Sequence, residues 1–481
     1  MTSFRIFIKV TKKSNFLAKG IYLRLNVVIN WFCNFGKSRI DRNFREFKKR
    51  QDMKKTILIT TLCLLVTIIG AQNSVPVKPR ILVSTDIGGT DPDDNQSMTH
   101  LLMYNDLFTI EGLVSSPSYG KGSKEEILRM IDLYEKDFSK LQKHNKDLAK
   151  PDYLRSLVKQ GRHGRAPYKG YQTQTEGSEW IIKCAKKENP QPLWILIWGG
   201  LDDLAQALHD APEIQNKIKI YWIGGPNKKW SANSYAYIVE NFPDLWFIEV
   251  NSSYYGFFSN SNVPDSIKSS DYYHRFINDA GYLGKDFKNY YNGEIKMGDT
   301  PSLLYMMDGN PENPMRESWG GSFEKFNHSP RIVFDGTTSL NDTVAFCSIL
   351  EFHFKGAKSD ISPDSICFWM DVPYGKSVQR WPGYYLGNGD YAVRYIPKKA
   401  EIVRYNFTSD ISEINGLEGS IVVNNLWPGK KNPTDYQLGE NWYTDKSDKN
   451  LYDGKIQGGK TILRWKSEIL SDWAKRWDWL R

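Results

Sequence analysis

The chain has 481 residues, enough for two or three domains of about 100–200 residues each. Its 64 Lys and Arg against 55 Asp and Glu leave a net +9, yet residues 1–71 hold 15 basic and 3 acidic side chains, and the remainder 49 and 52. A net of −3 without basic runs argues against nucleic acid as a partner, and 40% hydrophobic with 14% aromatic content excludes a disordered or multispan membrane chain.

From Met53 the sequence runs Met-Lys-Lys, an apolar stretch from Thr56 to Gly70, then Ala71-Gln72-Asn73. A basic start, an apolar run of about fifteen and a small residue read as a signal peptide over 53–71, too short for a membrane span of about 20 residues. Cys63 follows Thr60-Thr61-Leu62, not the small residues a lipidation signal needs. Met53 is then the expected initiator, with residues 1–52 an upstream misread or a basic extension. The mature protein is expected to be secreted or periplasmic, with no membrane contact after cleavage.

Residues 72–328 alternate buried-strand patterns with amphipathic helices. Strands are predicted at Arg80–Ser84, Phe108–Val114, Pro192–Trp198, Ile218–Ile223 and Leu245–Val250, with helices near Asn95–Tyr104, over Lys124–Leu141 and just past Gly199-Gly200. Continuous apolar strands between helices predict an α/β fold: a mixed, mostly parallel sheet with helices on both faces. From 329 to 425 the pattern changes to repeated strands (Thr343–Phe354, Ser365–Val372, Tyr391–Ile396, Glu401–Phe407, Ser420–Val423), predicting a β-sandwich. In 426–481 helix returns, with Ile462, Trp465, Ile469, Trp473, Trp477 and Leu480 at steps of three and four. That stripe is expected to pack on the α/β domain, making the sandwich an insertion. Three cysteines follow the signal: Cys184, Cys347 and Cys367. A Cys347–Cys367 disulfide and two buried thiols are equally compatible with the export reading.

Four aspartates fall in nine residues, Asp86, Asp91, Asp93 and Asp94, after the first strand and before a helix. Carboxylates this close repel, so either their pKa values rise or a hard cation such as calcium sits among them. Helix capping explains one or two of the four. Two further features have bland alternatives. Gly161-Arg162-His163-Gly164-Arg165 reads as a solvated loop or as a flank for an anionic or sugar substrate. Arg380-Trp381-Pro382-Gly383-Tyr384-Tyr385 reads as sandwich packing or as a sugar-stacking platform.

The stretch Thr85–Asp94, Glu176-Gly177-Ser178, Trp198-Gly199-Gly200, Gly298-Asp299-Thr300-Pro301-Ser302 and Ser318-Trp319-Gly320-Gly321 together resemble the nucleoside hydrolase superfamily, in particular its secreted bacterial subgroup described as cellulose-binding. The resemblance spans about residues 80–325 and the last helix. It implies a Ca2+ site with Asp86 as ligand and general base, Asp94 and Asp299 as ligands, and Trp198 giving its carbonyl. It also implies that Asp93 reaches sugar hydroxyls and that Asn233 lies on the sugar 5′ side. The family places its first Asp four residues before the Asp pair, whereas Asp86 and Asp93 are seven apart, so Asp91 and Asp94 compete for one ligand position. Gly298 stands where many relatives carry a leaving-group His, and Ser115-Ser116 replaces an expected Asn. Two functions follow: a calcium-dependent hydrolase of a ribosyl or other sugar bond, or a non-catalytic binder of cellulose or a plant glycan. The ligand is a small sugar, nucleoside or glycan in either case, and the oligomeric state is unknown.

Overall fold

The computed structural model describes residues 78–481 apart from 118, 121 and 262, so the signal-like stretch 53–71 and the extension before it lie outside the described residues. The first sheet contains β1 (Arg80–Thr85), β2 (Thr109–Ser115), β3 (Val158–Gln160), β4 (Leu193–Ile197), β5 (Ile218–Ile223), β6 (Trp246–Val250) and β7 (Phe323–Lys325). The second half of the chain adds β8 (His328–Ser329), β9 (Arg331–Asp335), β10 (Thr343–Ala345), β11 (Ile349–Lys355), β12 (Ile366–Tyr374) and β13 (Ser377–Gly387). It continues with β14 (Asp390–Tyr395), β15 (Ile402–Ser409), β16 (Glu418–Asn424), β17 (Tyr436–Gln437) and β18 (Trp442–Asp445).

The first sheet has the order β3-β2-β1-β4-β5-β6-β18-β7 and is parallel except for the β18–β7 pair. Its central strands are mostly apolar because both faces are covered, and alternate residues feed two cores. Leu82, Ile195, Ile220 and Phe247 join the helices Glu176–Ala185, Asp202–Asp210 and Ala232–Asn241 on one side. Ile81, Val83, Leu196, Tyr221 and Ile248 join α1 (Asp93–Met103), α2 (Lys124–His144) and α3 (Thr300–Met307) on the other. The helix α4 (Lys466–Trp477) belongs to this second core. Its Trp473 and Trp477 are fully buried, Trp473 against His100, Tyr272 and Phe287. No helix among the described residues is long and apolar enough to cross a membrane.

The second sheet is one continuous eight-stranded layer, β10-β16-β15-β12-β13-β14-β11-β9. It curls until β11 faces β15: Phe354 and Phe407 lie 4.9 Å apart and Phe352 and Tyr405 5.2 Å, although three strands separate them along the sheet. The expected sandwich is thus an all-β sheet folded over its own core, which is continuous with the first core of the α/β layer. The strand expected over Thr343–Phe354 is broken in two, because Cys347 adopts a left-handed φ of 61° between β10 and β11. Cys184, Cys347 and Cys367 are all free thiols, so the disulfide alternative falls.

Candidate functional site

The strand order 3-2-1-4-5-6 places a topological switch point at β1, whose neighbours β2 and β4 carry the connections in opposite directions. Ligands of such sheets bind at the carboxyl ends of the strands beside that point. Here those ends carry Asp86, just after β1, and Trp198, just after β4, joined by a Trp198 N–H donating to Ser84 O at 2.7 Å. The backbones pack so closely that a Cβ at Gly199 would stand 2.8 Å from Asp86 N and 2.9 Å from its Cβ. That contact leaves room for glycine only.

Asp93 and Asp94 open α1, where the partial positive charge of the helix N-terminus favours carboxylates. Thr85 Oγ1 donates to Asp94 Oδ1 and fixes it. Asp299 precedes α3 and is brought to the same place by Gln96 of α1, whose Oε1 accepts from the backbone N–H of Lys296 and Met297 at 2.8 and 2.9 Å. Ser302 Oγ donates to Asp299 O and accepts from Trp198 Nε1, both at 2.7 Å, tying α3 to β4. One carboxylate oxygen from each of Asp93, Asp94 and Asp299 then falls within 4.8 Å of the others.

Burial dominates the electrostatics. It pushes Asp86 up to about 7, with Asp93 and Asp91 adding repulsion against a hydrogen bond from Asp94. Burial and then neighbouring carboxylates also raise Asp93, Asp94 and Asp299 well above the carboxylate range. Asp299 Oδ2 is buried without a hydrogen-bond partner. An orphaned buried carboxylate oxygen aimed among two others is costly unless a cation or proton lies there. The all-oxygen donor set fits a hard divalent cation.

Asp86, Asp91, Asp93, Asp94, Trp198 and Asp299 all line one cavity of about 500 Å3. Asp91 turns outward, its Oδ2 2.5 Å from Lys296 Nζ, so of the two claimants to one position Asp94 is the one in the carboxylate cluster. Asp93, expected toward sugar hydroxyls, is itself in the cluster, while Lys296 Nζ lies 3.8 Å from its Oδ2. Burial opposes the Lys296 charge, but Asp93 and Asp91 outweigh it and hold the ammonium above its usual range. Asn233 is not in this cavity. It packs at the junction with the second sheet, donating to Ala166 O at 3.0 Å. Asn227, which the sequence reading missed, lines the cavity instead and donates to Trp198 O at 2.8 Å, leaving that carbonyl a second lone pair. Its place in Gly224-Gly225-Pro226-Asn227, just past β5, was the available signal.

Gly298 has a local cause. A Cβ there would lie 2.3 Å from Asp93 Oδ2 and 3.0 Å from Phe258 Cζ, so a histidine would displace the cluster. Of the two features with bland alternatives, His163 is exposed. The Arg162 backbone N–H is held by Asp203 at 2.9 Å. Trp381, Tyr384 and Tyr385 are buried, so the aromatic run is packing and not a sugar platform. Trp381 stacks on Trp230 at 4.8 Å, and Trp230 on the exposed Tyr119 at 4.2 Å.

A family model described as "Cellulose-binding Sde182, nucleoside hydrolase-like domain" matches residues 80–323, just over half of the chain. The chain belongs to this family. Its matched region ends at β7 and contains every cavity residue contributed by the first sheet and its loops. A second model, a domain of unknown function (DUF5060), matches residues 347–410 within the second sheet. Among solved structures, a nucleoside hydrolase-related hypothetical protein from Saccharophagus degradans that is associated with carbohydrate metabolism is 20% identical. The match covers 72% of this chain and 100% of that one, with a TM-score of 0.44. An inosine-guanosine nucleoside hydrolase is 11% identical over 52% of this chain and 83% of its own, with a TM-score of 0.34. The type III effector XopQ, solved with adenosine diphosphate ribose, is 11% identical over 48% and 68%, with a TM-score of 0.28. No curated protein matches the chain.

Proposed function

We propose that this nucleoside hydrolase-like protein is a secreted, calcium-dependent hydrolase of a glycosidic bond to a ribosyl or other sugar. The observation that carries the reading is the convergence of Asp93, Asp94 and Asp299 within 4.8 Å, with Asp299 Oδ2 unpartnered and Asp86 beside them in one cavity. Asp93, Asp94 and Asp299 would hold the calcium, with Asp86 and the Trp198 carbonyl at its edge. A bound calcium supplies a positive charge that acidifies nearby water and anchors sugar hydroxyls. Burial raises Asp86 to about 7 in the calcium-free protein; beside the cation it would be ionised and so able to take the proton of a water attacking the anomeric carbon. Asn227 holds Trp198 O and so fixes the part of the cavity wall that carries this carbonyl. Residues 329–425 are read as an insertion into the α/β domain, and 426–481 as the segment that returns to it.

The alternative is a non-catalytic binder of cellulose or a plant glycan on the same scaffold. The family description names cellulose binding, and Gly298 removes the expected acid for the leaving group. Exposed tyrosines at the cavity rim, Tyr119 and Tyr374, suit a glycan face. Calorimetry with calcium, followed by a screen of nucleosides and oligosaccharides for released reducing sugar, separates the readings. Turnover lowered about 10²–10⁴-fold in Asp86→Asn supports the hydrolase. Retention on insoluble glucan without turnover supports the binder. Absence of calcium binding, or binding unchanged by Asp299→Ala, overturns the shared metal site.

A further inference from the structure

The cavity is not built by the α/β layer alone. Tyr374, Ser377, Val378 and Gln379, from the β12–β13 hairpin, and Lys398, just past β14, line it together with the aspartates. The two walls have opposite character. One gathers carboxylates; the other carries Lys398, whose Nζ lies 3.5 Å from Tyr374 Oη, backed by Lys229. Lys229 is only 4% exposed. Its Nζ donates to Gln379 Oε1, which turns the Gln379 amide nitrogen away from it, and lies 4.8 Å from the Trp381 ring centre and 5.4 Å from that of Tyr374.

Among the described residues no carboxylate lies within 4.0 Å of Lys229 or Lys398. The acidic group facing them, Glu401, is itself paired with Lys399 at 3.0 Å. The next residue in the chain makes the contrast. Lys228, fully buried, has Glu249 at 2.6 Å. Buried cations are ordinarily paired, and a buried lysine beside a second lysine carries a cost that an incoming anion removes. Burial first and then Lys398 bring Lys229 down to about 7, in keeping with two cations that lack a counter-charge.

We propose that this wall is an oxyanion subsite, contributed by the second sheet, and that the sugar bound at the carboxylate end carries a carboxylate or phosphate group directed at Lys398 and Tyr374. The inference rests on the sugar-site reading above and narrows its substrate class to acidic sugars. A cavity of about 500 Å3 lies within the roughly 300–1,000 Å3 range of small-molecule sites and accommodates a sugar with such a substituent.

The test is calorimetry on the full chain with calcium at low ionic strength, using D-galacturonate against D-galactose and D-ribose 5-phosphate against D-ribose. At least one acidic member should bind about tenfold or more tightly than its neutral parent, as a charge-assisted hydrogen bond implies. The pair showing the preference tells carboxylate from phosphate. The preference should shrink in high salt and collapse in Lys398→Gln. Lys398 is half-buried at the cavity edge, so thermal melting should find the variant folded. Equal affinity within both pairs, or a preference that survives Lys398→Gln, overturns the subsite and leaves the sugar site standing. If none of the four sugars binds while calcium does, the sugar-site reading falls and the subsite with it.

Discussion

At Asp86 burial, repulsion from Asp93 and Asp91, and a hydrogen bond from Asp94 act on one proton, and burial is the largest. Because its pKa is raised in the folded state from 3.8 to about 7, the stability contributed by the protonated form is full below about pH 4 and is lost as pH rises through 7. The calcium-free protein should therefore lose stability between pH 4 and 7, and calcium should cancel that loss by replacing the proton. Calcium affinity should correspondingly rise from pH 5 to 8 with release of protons, measurable by calorimetry in buffers of different ionisation heat. Affinity that is flat with pH would contradict the raised carboxylates. Asp299→Asn, which keeps the shape and removes the charge, should weaken calcium at least about tenfold. At this scale the aspartates of 86–94 were legible because they are neighbours in sequence and their repulsion can be argued without a fold. Asp299 entered only through the resemblance. Lys296 was not legible, since it is defined by its distance to Asp91, and Asn227 offered only its place past the Gly224-Gly225 turn, its reach to Trp198 O being a matter of the fold.

Gly298 belongs to the turn that delivers Asp299, and its lack of a side chain leaves space for the Asp93 carboxylate. Gly298→Ala should weaken calcium while leaving the melting temperature nearly unchanged, because the clash falls on the end of a side chain that can swing. Gly298→His should behave likewise and supply no leaving-group acid. Unaltered calcium affinity in both would show that Asp93 tolerates the intrusion. The helix α4 tests a different link. Trp473→Ala should cost about 3–5 kcal/mol in denaturant unfolding, since a fully buried indole is removed from the core around His100 and Phe287. Among elements, strands of five or more apolar residues and the Trp-striped helix were readable from periodicity. Val158–Gln160, Phe323–Lys325 and Trp442–Asp445 were not, because three or four residues carry no period. The break at Cys347 was hidden because its left-handed backbone is unusual for cysteine and leaves no mark on hydropathy.

The α/β layer and the second sheet meet through a charged junction as well as a shared core. Glu351 of β11 accepts from Arg394 Nε at 2.6 Å and from Arg331, while Arg394 Nη1 donates to Tyr168 O at 2.6 Å and the guanidinium carbon lies 3.8 Å from the centre of that ring. Burial opposes ionisation of Glu351, but His353, Arg394 and Arg331 outweigh it and hold its carboxyl below the usual range. Its contribution to stability is present above about pH 4.5 and is lost as pH falls further. Glu351→Ala should destabilise the fold by about 3–5 kcal/mol by leaving Arg394 buried and uncompensated. An unfolding free energy within 1 kcal/mol of the parent would show that Tyr168 alone satisfies it. The far wall of the cavity could not be read from sequence, because Tyr374 and Lys398 come to face the aspartates across one cavity only through the docking of the second sheet, hundreds of residues along the chain. The placement of β18 has a consequence for biosynthesis. It sits between β6 and β7, and its Asp445 accepts backbone N–H bonds from Asn251, Ser252 and Ser253 at 2.8–3.0 Å. The growing chain therefore leaves the ribosome with β6 as an open edge and β7 without its neighbour until residues 442–445 emerge. Throughout synthesis of the second sheet, the nascent protein carries an unpaired strand edge of the kind that chaperones shield and aggregation exploits.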